Sequence, residues 1–219
     1  MDTVLISCGT LEDEVRKVVA VLPRPPRLIF TEAAWHDKPT DQMRAALQQE
    51  LNAMGPEVRR VLLAYGLCGG AIKELVTRDF TLIIPRVDDC IPLLLGSREK
   101  FAEASHIPSF FLTAGWLKFS NKCYYDTLAR MGERKTAIAY GMMLANYKRF
   151  LFIDTGAYDL IQAQADMADR MSRHNLPADI TNGDLTWLRQ LVTGPWPQTK
   201  FLTVLPHSRV IWNSGEIAN

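Results

Sequence analysis

Short apolar runs without polar alternation recur along the chain, separated by longer segments with helical spacing of apolar residues. TVLISC (3–8) reads as a buried strand, and LEDEVRKVVAVL (11–22) as a helix with an acidic first turn. Pro23, Pro25 and Pro26 end that helix, and RLIFTE (27–32) follows as a second strand. Beyond a turn at Trp35 and His36, Pro39-Thr40-Asp41 opens a helix running to about Met54, stopped by Gly55-Pro56. VRRVLLAYG (58–66) predicts a third strand, Cys68-Gly69-Gly70 a turn, AIKELV a short helix, and FTLIIPRV (80–87) a fourth strand. After Asp88-Asp89-Cys90 comes a helical segment, then SFFLTA (109–114) as a strand and helices over 121–132 and 134–147. RFLFIDTG (149–156) is another strand, leading to a helix from Tyr158 to about His174. A helix near 184–193 and the strands KFLTVL and SRVIW complete the series.

Strands that are apolar on both sides and alternate with helices predict the α/β class. The expected architecture is a mainly parallel sheet with helices on both faces, Rossmann-like, forming a single domain over 1–219. Hydrophobic residues make up 47% of the chain, enough to bury such a core. The net charge of +1 gives no electrostatic footprint for nucleic acid, so none is expected as a partner. The start, MDTVLISC, has no basic stretch or cleavage pattern of a signal peptide, and the apolar run FTLIIPRV is broken by Pro85 and Arg86. A cytoplasmic protein with no membrane partner is the expectation. Its four cysteines are then packing residues, metal ligands or reactive thiols rather than disulfides.

Three of those cysteines fall at equivalent places. Cys8 ends the first strand, Cys68 follows the third and Cys90 follows the fourth. In an open parallel sheet, ligands bind beyond the carboxyl ends of the strands, so all three are expected on one edge. One cysteine at such a place is more often a small apolar packing residue. Three point to a shared metal site. Gly9, Gly69 and Gly70 flank two of them and would let a bound group approach closely. The helices that follow would favour thiolates at their N-termini, and a cation would relieve the repulsion among three of them. Zinc and a [4Fe–4S] cluster are the two candidate centres, and zinc is preferred because three thiolates and an open position suit a catalytic site. His36 is a candidate fourth ligand, and Asp88, Asp89 and Asp154 are candidate acid–base or ligating carboxylates at strand exits. Asp89 could equally cap a helix, and Asp154 could serve a turn. Trp116 is a candidate wall of the site. Cys123, inside a helix, reads as packing.

At ISCGTLEDE, AYGLCGGAIKEL and IPRVDDCIPLLLGSREKF the chain resembles domain-of-unknown-function family 1638. TAGWLKF, RFLFIDTGAYD and NGDLTWLRQLVTGPW extend that resemblance over nearly the whole chain. Members of the family usually carry a histidine where this chain has Asp88. The resemblance implies an association with corrinoid-dependent methyl transfer in anaerobic microbes. On that basis the expected function is a metal-dependent methyl transferase acting on a small-molecule thiol, with a corrinoid protein as partner. The alternatives are a [4Fe–4S] enzyme abstracting sulfur or hydroxide from a small molecule, a non-enzymatic metal-carrying partner of a corrinoid protein, and a structural module with three buried thiols. No corrinoid-binding, Walker or dinucleotide fingerprint occurs in the chain itself.

Overall fold

The computed structural model describes residues 2–33, Trp35 and 38–212, with Asp169 described by its backbone alone, and these form eight strands and eight α-helices. The first sheet has β1 (Thr3–Cys8), β2 (Arg27–Thr31), β3 (Arg60–Ala64), β4 (Thr81–Pro85) and β8 (Phe201–Val204). Their order is β2-β1-β3-β4-β8, parallel except for β8, which pairs antiparallel with β4 at the edge. Val4, Leu5, Ile6 and Ser7 on β1 are all buried, as a strand covered on both faces requires. Helices α1 (Glu12–Val19), α2 (Thr40–Asn52) and α8 (Thr186–Thr193) bury Val15 and Val18, Leu47 and Leu51, and Leu188 and Leu191 in this core. Helices α3 (Ile91–Leu95) and α4 (Arg98–Ser105) follow β4.

The sequence led us to expect one sheet, and the chain forms two. β5 (Ser109–Leu112), β6 (Arg149–Asp154) and β7 (Ala178–Asn182) make a separate parallel sheet in the order β5-β6-β7. Strand alternation then divides its side chains between two cores. Phe110, Leu112, Phe150 and Phe152 pack with Leu117, Leu144 and Met167 from helices α5 (Ala114–Met131), α6 (Glu133–Leu144) and α7 (Leu160–His174). Phe111 and Ile153 belong instead to the core of the larger sheet. The Phe101 and Phe111 rings, 5.8 Å apart, are one of the contacts across that junction.

Three local readings are corrected, and one strand is added. AIKELV is a set of turns, because Glu74 takes a left-handed φ of 66° and Val76 bridges Arg209. SRVIW forms only that isolated bridge. Thr113 does not extend β5; its hydroxyl accepts the Trp116 N–H at 3.3 Å and caps α5, which begins seven residues earlier than the spacing suggested. ADITN, polar and mostly exposed, is a strand the apolar pattern could not mark.

Candidate functional site

In the larger sheet, β1 pairs with β2 on one side and β3 on the other, so the strand order reverses between β1 and β3. The crevice at such a switch point is the preferred ligand site of an open parallel sheet. Cys8 is the last residue of β1, and Cys68 follows β3 after Tyr65-Gly66-Leu67. The loop carrying Cys68 is bound to the loop carrying Cys90 by two backbone hydrogen bonds. Leu67 N–H donates to Val87 O at 2.8 Å, and Cys68 N–H to Asp88 O at 2.9 Å. Gly66 allows this approach, since a Cβ there would stand 2.5 Å from the Asp89 backbone. Gly9, at the start of the first loop, lies against Thr31 O and the residues beyond β2.

Cys68, Gly69 and Gly70 have consecutive positive φ values of 47°, 66° and 98°. Left-handed backbone is unfavourable for a residue with a Cβ, so the surroundings must hold Cys68 there. Arg44 of α2 does part of that, donating to Gly70 O at 3.0 Å.

The three thiols are near enough to act on one another. Burial raises the Cys8 thiol above its ordinary pKa, against the hydrogen bond between its Sγ and Thr10 Oγ1 at 3.0 Å. Cys68 is pushed up to about 12, first by burial and then by Cys8. Cys90 is raised well above the usual range by burial, by Cys68 and by Cys8. Tyr65, buried and hydrogen-bonded to the Thr31 hydroxyl, is raised by burial and then by Cys8, with smaller contributions from Cys68 and Cys90. Tyr65 was not visible as a site residue in sequence, where it closes an apolar run. The expectation that helix N-termini would favour thiolates does not hold. Only a single 3-10 turn follows Cys68 and a five-residue helix follows Cys90, and neither offsets the desolvation. Burial therefore favours the protonated form of each of these groups.

Among the described residues, no group of three or more His, Cys, Asp or Glu side chains is set in metal-holding geometry. His36 lies outside the described residues. Asp89 sits with the cysteines and contributes to raising Cys68 and Cys90, while its Oδ1 accepts the Ile91 N–H at 2.7 Å at the head of α3. Burial raises its own pKa. Asp88 is exposed. Asp154 ends β6 in the other sheet, where its Oδ1 accepts the Gly156 N–H at 2.9 Å, a turn-forming role. Cys123 lies partly buried on α5 and lines a different cavity, with Gly9 and Ala33 beyond the ends of β1 and β2.

A second buried carboxyl, Glu14, was also missed in sequence because it occupies the acidic first turn of α1. Its side chain is fully buried and its Oε1 accepts the Thr155 hydroxyl at 3.1 Å. Burial, the largest effect, raises its pKa to about 6. The folded protein therefore binds the proton more tightly than the unfolded chain, and this contribution to stability is lost as pH rises from about 4.5 to about 6. Glu14→Gln is expected to remove that loss and to stabilise the protein by up to about 2 kcal/mol at pH 7.5. Thermal melts of both proteins from pH 4 to pH 8 check this: the difference should grow across that window, and a constant difference would refute it.

A sequence profile described as "Protein of unknown function (DUF1638)" matches residues 30–192. No curated protein and no solved structure matches the chain. No helix among the described residues is long and apolar enough to cross a membrane.

Proposed function

We propose, for a chain that belongs to the DUF1638 family of proteins of unknown function, that Cys8, Cys68 and Cys90 together hold one thiophilic metal centre used in catalysis. The observation that carries this reading is that buried thiols beyond three strand ends act on one another, with the Cys68 and Cys90 loops tied by two backbone hydrogen bonds. Buried thiols that raise one another's pKa lose their protons together only to a soft or borderline cation. The donor set therefore fits zinc or an iron–sulfur cluster.

The side chains do not already stand in ligating positions. Loading a metal must then bring the three side chains closer together. Zinc bound by three thiolates would supply a Lewis-acid position for a substrate sulfur. The chain's own contribution is to keep water from the site, to orient Cys8 through Thr10, and to hold the Tyr65 hydroxyl beside the thiols through Thr31. Methyl transfer to a thiol, with a corrinoid protein as donor, is the reaction that the family resemblance suggests; the metal site is what the residues themselves support.

Elemental analysis and a visible spectrum of anaerobically purified protein test the proposal. About one zinc per chain without colour is the expected result. Iron and sulfide in equal amount with broad visible absorption would replace zinc by a cluster at the same cysteines. Neither metal, with all three thiols titratable after unfolding and none protected by a metal before it, would overturn the reading.

A further inference from the structure

Beside Cys90, between the larger sheet and the smaller one, lies a cavity of about 180 Å³. Thr10, Cys90 and Ile91 form its floor, and Phe110, Phe111 and Trp116 form much of its wall. The aromatic side is rigid: the Phe110 ring meets Tyr147 edge-on at 5.2 Å and Phe150 at 5.9 Å, and tilts against Trp116 at 6.3 Å. None of the lining residues is Asp, Glu, Lys, Arg or His.

The threonine and serine hydroxyls in the lining are already engaged, and Tyr147 adds one phenolic hydroxyl. Thr10 Oγ1 pairs with Cys8 Sγ at 3.0 Å, and Thr113 Oγ1 accepts the Trp116 N–H. Ser109 Oγ donates to Ile107 O at 2.7 Å and accepts from Arg149 Nε at 2.7 Å. A charged ligand entering here would lose part of its water and find no opposite charge, which is unfavourable. A neutral apolar one would lose only unfavourable hydration. The size is that of a small ring or short branched chain, since an apolar cavity of roughly 150 Å³ is enough to take benzene.

We propose that this cavity is the substrate pocket of the cysteine site, and that it takes a small, uncharged, apolar sulfur compound, a thiol or thioether of about five to eight non-hydrogen atoms. The choice of sulfur rests on the metal–thiolate reading above. The neutrality and size of the ligand rest on the cavity alone. Discrimination is against carboxylated or sulfonated thiols, because the pocket has no cation to receive the acid group.

The test compares two thiols of matched shape, 3-methylbutane-1-thiol and 3-mercaptopropionate, by anaerobic calorimetry on the purified full chain with its metal content measured. The neutral thiol is expected to bind at least about tenfold more tightly, the penalty for an unpaired buried charge. Trp116→Ala, which removes one wall, is expected to erode that preference. Metal present with the two thiols bound equally, or with the acid preferred, overturns the pocket while leaving the metal site standing. Metal absent with the neutral thiol still preferred supports the pocket and removes the case for sulfur chemistry. Should Trp116→Ala fail to fold, the comparison on the wild-type chain decides alone.

Discussion

Gly66→Ala is expected to destabilise the protein by about 1–3 kcal/mol, the range for forcing atoms into a filled space, and to weaken metal binding along with it. A Cβ at Gly66 would lie 2.5 Å from Asp89 Cα and C and 2.7 Å from its carbonyl oxygen. Those are backbone atoms, so no side-chain rotation relieves the contact. The loops on either side are tied by the Leu67 and Cys68 backbone hydrogen bonds to Val87 and Asp88, and the methyl group must stretch that tie. Cys68 and Cys90 sit on opposite sides of it. Displaced support of this kind lowers metal affinity by about 10- to 100-fold. Denaturant titration and chelator competition, run in parallel on both proteins, check the two effects. Wild-type stability together with wild-type metal retention would show that the two loops do not depend on this contact.

The second large effect is expected at Cys90. Cys90→Ser should bring metal content to background, whereas Cys123→Ser should leave it unchanged. Serine keeps the size of the side chain but is a far poorer ligand for a thiophilic metal. A metal held at 1,000 times its dissociation constant stabilises the folded state by about 4 kcal/mol, so chelator should lower the wild-type melting temperature. In the Cys90→Ser protein, chelator should change nothing. If Cys90 were only a packing residue, serine would cost stability through its buried hydroxyl, and chelator would act on neither protein. The decisive quantity is therefore the chelator response, since loss of stability alone is expected on either account.

The larger sheet was legible in sequence because its strands are runs such as TVLISC, buried on both faces, and because glycine and proline mark their ends. Those local signals also placed Cys8, Cys68 and Cys90 at strand exits. They could not say which strands share a sheet. β5 and β6 look like further strands of the first sheet, but they pair with each other and β6 pairs with β7, whose polar ADITN sequence has no buried face to announce it. Periodicity reports which face of a segment is covered, and pairing is decided by what else is available to cover it.

The same division holds at the cysteine site. The residues of the chain determined the α/β class, the three strand-end thiols and the glycines beside them. Only the tertiary structure decided that the Cys68 and Cys90 loops are tied to one another, that Tyr65 feels all three thiols, and that Asp154 lies in another sheet. It also reversed the expected charge state. Three cysteines before helix-like segments suggest thiolates, but desolvation depends on everything packed around a group, and here it raises all three thiols above their ordinary pKa.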